Sequence, residues 1–137
     1  MIKPPTNILK ISSNKTELKT VETFLSDYFS HYKFSESCFN KTFLCISEAV
    51  VNSIIHGNKN KHDKIVEIEI NCKTHNILIN ITDEGDGFNF NEVANPTSSE
   101  NIMKESGRGI HIIKNIAKAV KFNDKGNSLQ FQIECNE

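Results

Sequence analysis

Residues 47–57 of the chain are Ser-Glu-Ala-Val-Val-Asn-Ser-Ile-Ile-His-Gly, and two interleaved patterns run through them. Apolar side chains recur every four residues and predict the buried stripe of a helix: Ile46, Val50 and Ile54. Polar side chains recur at the same spacing on another face: Glu48, Asn52 and His56. Gly57 predicts the end of the helix. A solvated helix face explains the polar stripe, but so do oxygen ligands for a metal–nucleotide complex, because Mg²⁺ takes one or two protein oxygens together with phosphates and water.

The elements on either side of this helix predict an α+β fold. Ser35 marks the start of the helix, and Asn14 followed by Glu17 has the spacing of a capping box for an earlier one. Apolar periodicity predicts, in order, a strand at 7–12, a helix at 15–32, strands at 66–72 and 77–83, a helix from Ile110, and strands at 120–122 and 129–135. This order predicts a two-layer sandwich, with helices packed on one face of a mixed, mostly antiparallel sheet.

Length, charge and cysteine spacing limit the classes of protein. At 137 residues we expect a single domain over residues 1–137. A formal net charge of −1 argues against nucleic acid as a partner, because such binding depends on a basic surface. The chain shows neither a membrane span nor a signal peptide, so we expect no membrane association and a cytoplasmic location. We expect four reduced thiols rather than a zinc or redox site: Cys38, Cys45, Cys72 and Cys135.

A second polar cluster, Asp83-Glu84-Gly85-Asp86-Gly87, follows the strand predicted at 77–83. Asp83 continues the inward phase of that strand, so the alternation predicts a buried carboxylate, although Asp-Gly pairs are also ordinary turn signals. A buried carboxylate needs a hydrogen-bond donor, and the amino group of adenine would supply one. Gly85 and Gly87 would let the backbone approach the base closely.

The third cluster, Ser106-Gly107-Arg108-Gly109, directly precedes the helix predicted from Ile110. Glycines at the start of a helix leave backbone N–H groups free to bind an anion, and the helix dipole adds positive charge there. A Gly-x-Gly run alone is weakly specific, and this one matches neither the P-loop nor the Rossmann pattern. The segment before it, residues 88–106, is long and polar, as functional or mobile connections usually are.

Together the three clusters resemble the N, G1 and G2 boxes of the GHKL ATPases, the superfamily of gyrase, MutL and the catalytic domains of sensor histidine kinases. Within it, residues 47–57 and the run Gly107-Arg108-Gly109-Ile110 are similar to the stand-alone anti-sigma factor serine kinases. The resemblance implies the Bergerat ATP-binding fold, with ATP and Mg²⁺ as cofactors. It also implies transfer of phosphate from ATP to a serine of a partner protein.

The resemblance assigns roles around the predicted base and metal. Glu48 would be the general base that takes the proton from the acceptor hydroxyl. Asn52 would hold Mg²⁺. Asp83 would bind adenine in a pocket shaped by Gly85 and Gly87.

Further roles fall on the phosphate side. Gly107 and Gly109 would hold the phosphates beneath a flexible ATP lid at about 90–106. Lys104 or Arg108 would supply the positive charge near the γ-phosphate. Ser128 would stand in for the threonine of the last family box, which is Gly-Asn-Ser in this chain.

The implied partners are an antagonist protein of the STAS type as phosphoacceptor and a sigma factor, and the resemblance also implies a homodimer. Two alternatives stay open. One is a nucleotide-dependent binding module that transfers no phosphate. The other is the catalytic ATP domain of a histidine-kinase-like system, although His31, near the end of its predicted helix, does not suggest a phosphoacceptor site.

Overall fold

The computed structural model describes residues 6–85 and 100–135, and for residues 100–107 it describes the backbone. The elements are, in chain order, β1 (Ile8–Ser12), a 3-10 turn (Lys15–Glu17), α1 (Leu18–Tyr32), α2 (Glu36–Asn52), a π-helical turn (Ser53–Gly57), β2 (Ile65–Lys73), β3 (Asn76–Asp83), α3 (Glu100–Ile116), β4 (Lys118–Phe122) and β5 (Ser128–Glu134).

The five strands form one sheet in the order β1-β2-β3-β5-β4. Every ladder among the described strands is antiparallel. The predicted α+β sandwich is therefore confirmed, with an antiparallel sheet in place of a mixed one. Val66 lies opposite Asp83, and Thr82 lies opposite Ser128. The end of β3 is thus flanked by the first residues of β2 and β5.

One face of the sheet packs against the helices. Alternate residues of the three central strands are buried there: Val66, Ile68, Ile70, Ile77, Ile79, Ile81, Leu129, Phe131 and Ile133. The helices contribute the opposing side chains: Val21, Leu25, Ile46, Val50, Ile54 and Ile113. Burying one such aliphatic side chain stabilises the fold by roughly 1.5–3 kcal/mol, and a slip of one residue would exchange the two faces. The alternation therefore fixes the register that brings Asp83 to the end of the buried row.

The boundaries of the first two helices follow local signals. The Ser35 hydroxyl accepts a hydrogen bond from the Cys38 backbone N–H at 3.1 Å, which confirms the predicted start of α2. α1 ends at Lys33, whose φ of 59° lies in the left-handed region. Among the described residues, no helix combines the length and the apolarity that crossing a membrane requires.

α3 differs from the prediction, because it begins at Glu100 rather than near Ile110. Residues 100–105 contain neither Gly nor Pro, and an acidic residue at position 100 favours a helix N-terminus. Of the predicted lid, residues 100–106 are therefore helical, and residues 90–99 lie outside the described residues. The prediction that the Gly107-Arg108-Gly109 run forms a helix N-terminus is wrong. These residues lie inside α3, where backbone N–H groups bond to carbonyl groups four residues earlier.

The cysteines also differ from the prediction. Cys38 and Cys135 form a disulfide with their Cα atoms 5.7 Å apart, whereas Cys45 and Cys72 are free thiols. The expectation of four reduced thiols is thus wrong for one pair. The two partners are 97 residues apart in sequence, and the fold brings them together where the first turn of α2 meets the end of β5.

Candidate functional site

The polar stripe of α2 lies at the boundary between the core and the surface. Glu48 and Asn52 occupy the last two turns of α2, and His56 lies in the π-helical turn that follows. All three side chains are half-buried, whereas Val50 and Ile54 on the opposite face are fully buried. The predicted division of this segment into a core face and a polar face is confirmed.

The polar stripe forms one wall of a cleft of about 340 Å³, here called the outer cleft. Residues from the 3-10 turn and from α3 form its other walls. Its lining consists of Lys15, Glu48, Val51, Asn52, Ile55, His56, Arg108, Gly109 and Ile112. The outer cleft therefore combines two cationic side chains, one carboxylate, an amide and an imidazole with apolar walls.

A narrower cavity, here called the inner slot, lies between α2 and the sheet. Its lining consists of Ala49, Asn52, Ser53, Ile81, Asp83, Ile110, Phe122, Gly126, Asn127, Ser128 and Leu129. It encloses about 10 Å³, which is the room that one water molecule needs. Asn52 lines both cavities. The sequence-predicted residues Asn52, Asp83 and Ser128 are thus brought together in the slot.

Asp83 is buried, with 6% of its surface exposed, as its inward phase predicts. Its Oδ1 accepts a hydrogen bond from the Gly85 backbone N–H at 2.8 Å. Burial raises the pKa of the carboxyl above its ordinary value, and hydrogen bonds from Gly85 and the Ser53 side chain offset part of that rise. The donors that the sequence did not locate are therefore a nearby backbone N–H and a buried serine of the π-helical turn.

Two glycines allow the backbone to pack directly on Asp83. A Cβ atom added at Gly57 would overlap the Asp83 carboxylate, and one added at Gly85 would overlap the backbone carbonyl of Gly57. Any side chain at either position would separate the end of β3 from the π-helical turn. Gly57, predicted only as a helix end, thus also forms part of the Asp83 site.

Two asparagines that sequence analysis missed hold the backbone around Asp83. The buried Asn58 side chain accepts a hydrogen bond from Glu84 N–H at 2.8 Å and donates to Ser13 Oγ at 2.6 Å. Asn127 Nδ2 donates to the Asp83 carbonyl oxygen at 3.1 Å. Their signal in the sequence was slight, because isolated asparagines in loops are ordinary turn residues.

Gly109 of α3 packs against the polar stripe. A Cβ atom at this position would lie 3.0 Å from Glu48 Oε2 and 3.2 Å from Asn52 Nδ2. The absence of a side chain thus lets α3 approach the two predicted functional groups, and Arg108 beside it lines the same cleft. This close approach, rather than a free helix N-terminus, is the observed reason for a glycine here.

The remaining predicted residues are placed less completely. Ser128, at the start of β5, forms a hydroxyl–hydroxyl hydrogen bond with Thr82 at 2.9 Å. Lys104 and Gly107 lie in the part of α3 for which only the backbone is described. Gly87 falls outside the described residues.

The donor set is compatible with the predicted magnesium ion in one respect. Among the described residues, Asn52 Nδ2 is buried without a hydrogen-bond partner, and rotating the amide would place its oxygen there instead. An amide oxygen suits Mg²⁺, which usually keeps water and phosphate oxygens as its other ligands. The described residues contain no group of three His, Cys, Asp or Glu side chains that could hold a metal.

Comparisons with known proteins identify a family for the chain. The profile of the family described as "Histidine kinase-like ATPase domain" matches residues 11–133. An anti-sigma F factor of Clostridium beijerinckii is 33% identical over 98 residues, 69% of this chain and 68% of the relative. That of Oceanobacillus iheyensis is 40% identical over 78 residues, 56% of this chain and 53% of the relative. The alignment with an anti-sigma F factor of Clostridium botulinum, at 39% identity over 71 residues, covers 50% of both chains. This chain thus spans about half the length of the latter two relatives.

A solved structure supports the fold. The histidine kinase domain from Erythrobacter litoralis EL346 blue-light activated histidine kinase superposes with a TM-score of 0.51 at 12% identity. The superposition covers 98% of this chain and 65% of that one. Since the family profile spans nearly all of the sequence, the chain belongs to the histidine kinase-like ATPase domain family.

Proposed function

We propose that this protein is an ATP-dependent serine/threonine protein kinase that phosphorylates a serine of a STAS-type antagonist and regulates a sigma factor by partner switching. The observation that carries the proposal is the position of Asn52, which lines both the inner slot with Asp83 and the outer cleft with Glu48. A base bound in the slot would have its phosphates directed past Asn52 towards a carboxylate. The family membership supports ATP as the ligand, and the names of the relatives support the regulatory role.

The chemistry asked of the protein is mainly positioning and charge neutralisation. Glu48 would accept the proton of the serine hydroxyl. The serine oxygen would bond to the γ-phosphorus as the bond between the γ-phosphorus and the β–γ bridging oxygen breaks. Asn52 would hold Mg²⁺, which when bound offsets phosphate charge. Arg108, and Lys104 on the same helix, would add positive charge.

The base would be recognised at Asp83. The Gly85 N–H and the Ser53 side chain use two of the roughly four acceptor positions of this carboxylate, so a position would remain for the adenine amino group. A purine is much larger than the inner slot, so a wall must move to admit it. Ile110 is the residue that α3 contributes to the slot. We therefore propose that α3 shifts when nucleotide binds, which would bring Gly107 and Gly109 to the phosphates.

The test is incubation of the purified protein with γ-labelled ATP, Mg²⁺ and a candidate antagonist from the same genome. The proposal expects label on one serine of the antagonist and none after that serine is replaced by alanine. Nucleotide binding without transfer would favour the alternative of a binding module. Label on a histidine would favour the alternative of a histidine-kinase-like catalytic domain.

Replacing the general base separates chemistry from binding. Glu48→Gln keeps the shape of the side chain but removes its basicity, so transfer should fall by about 10²- to 10⁴-fold. The affinity for Mg-ATP, measured by calorimetry, should change less than about threefold, because the carboxylate acts on the acceptor hydroxyl. Glu22→Gln, at an exposed position of α1, is the matched control. Full transfer by Glu48→Gln would contradict the assignment.

A further inference from the structure

Lys15 reaches the outer cleft from a part of the chain that carries none of the three motifs. It is the first residue of the 3-10 turn after β1, and it lines the cleft together with Glu48, Asn52 and Arg108. Lys15 and Arg108 thus bring cationic side chains to one cleft from two separate elements.

The backbone that carries Lys15 is held by buried groups. Ser13 is fully buried, its N–H donates to the Lys64 carbonyl oxygen at 3.0 Å, and its Oγ accepts from Asn58 Nδ2 at 2.6 Å. Asn14 then caps the turn, its Oδ1 accepting from the Thr16 N–H at 3.0 Å. Because Asn58 also binds the Glu84 N–H, one buried amide joins the Lys15 segment to the residues beside Asp83.

The Lys15 ammonium group is available for a ligand. Lys15 is exposed, and among the side chains of residues 6–85 and 108–135 no hydrogen bond or ion pair engages its Nζ. In the outer cleft, two cations accompany one carboxylate, so the cleft keeps a positive charge when His56 is neutral. The apolar side chains of Val51, Ile55 and Ile112 line the same cleft and would strengthen the attraction for an anion by excluding water.

We propose that Lys15 contacts the terminal phosphate of the bound nucleoside triphosphate, acting opposite the polar stripe of α2. This inference rests on the proposed function and adds a residue to its phosphate site. A lysine in this position is a point charge for a phosphate that carries more negative charge than the inner phosphates. Its contribution should therefore depend on the γ-phosphate and be small for the diphosphate.

The test compares affinities for ATP and ADP, each with Mg²⁺, by calorimetry on the full chain. Lys15→Ala should weaken ATP binding about tenfold and ADP binding less than about twofold. Lys15→Arg should restore most of the preference for ATP, because it keeps the charge. The control is Lys19→Ala, at another exposed lysine that lies in α1 and does not line the cleft, and it should leave both affinities unchanged.

The outcomes separate this inference from the proposed function. If Lys15→Ala lost affinity for ATP and ADP equally, or lost none for either, the role of Lys15 would be overturned. The proposed function would still stand in that case, provided that the wild-type protein bound ATP and transferred phosphate. If the wild-type protein bound neither nucleotide, the proposed function itself would be overturned. Melting curves of Lys15→Ala without nucleotide should match those of the wild-type protein. A lost preference for ATP over ADP would then reflect nucleotide binding rather than a change in stability.

Discussion

Asp83 illustrates how a residue proposed to bind nucleotide can oppose stability. A folded-state pKa raised by burial means that ionising the carboxyl is harder in the folded protein than in the unfolded chain. The protonated Asp83 carboxyl makes its full favourable contribution to the free energy of unfolding below the ordinary carboxyl pKa of about 4. That contribution is lost as the pH rises through the raised pKa of the folded state. At neutral pH the buried charge therefore lowers the free energy of unfolding.

Asp83→Asn should consequently stabilise the nucleotide-free protein at neutral pH while weakening ATP binding at least about tenfold. The amide oxygen can still accept from Gly85, whereas the amide nitrogen would face the donor amino group of adenine. The gain in the free energy of unfolding, measured in urea, should grow as the pH rises above about 4. Asp27→Asn, at an exposed position of α1, should show neither effect. A gain that does not vary with pH would refute the explanation by burial.

The sequence predicted Asp83 better than its surroundings, for a physical reason. Alternation along a strand is local, so a carboxylate in the inward phase is visible in the sequence. The groups that hold it are not: Asn58 binds Glu84 from 26 residues away, and Asn127 binds Asp83 from 44 residues away. Only the folded chain brings these turn residues to the end of β3.

At the scale of elements, α3 shows the limit of local signals. Gly107 and Gly109 indicate a helix start when only the neighbouring residues are considered. A glycine inside a helix is unexpected, because it destabilises the helix by about 1 kcal/mol relative to alanine. Gly109 is tolerated inside α3 because the side chains of Glu48 and Asn52, on another helix, occupy the space beside it. The contact between α3 and α2 therefore explains why position 109 is a glycine, and no local sequence pattern predicts that contact. The α1, α2, β2, β3 and β5 segments were predictable because their apolar periods are regular.

Gly109→Ala should therefore dissociate helix stability from activity. Alanine favours the helix by up to about 1 kcal/mol, but its Cβ would press on Glu48 Oε2 and Asn52 Nδ2. The free energy of unfolding should stay within about 1 kcal/mol of wild type, and phosphotransfer should fall at least about tenfold as the two side chains are displaced. Asn115→Ala, at an exposed position of α3, also introduces an alanine into this helix but away from the site, and it should keep full activity. Equal activity in both variants would show that the glycine is not needed for close approach.

For the whole molecule, the disulfide joins the start of α2 to the residue that follows β5. The 97-residue span from Cys38 to Cys135 runs from the first turn of α2 to the end of β5. It contains all the lining residues of the inner slot and those of the outer cleft except Lys15. Cross-linking a loop of this length removes conformational entropy from the unfolded chain worth about 4–5 kcal/mol. In a reducing compartment the pair would be two thiols, and the stability of the domain would then depend on the sheet and the helices alone.

Reduction should consequently lower the free energy of unfolding by about 4–5 kcal/mol without abolishing the fold. Urea unfolding with and without dithiothreitol measures the difference, and Cys38→Ser should match the reduced protein and no longer respond to dithiothreitol. Cys72→Ser is the control, because its thiol is free and its loss should leave the response intact.

Unfolded, unreduced protein should show two titratable thiols, Cys45 and Cys72. In the folded protein Cys45 should react slowly, because burial and the nearby Glu48 raise its pKa to about 11. Four titratable thiols before reduction would show that the pair is not bonded and that the stabilisation does not exist.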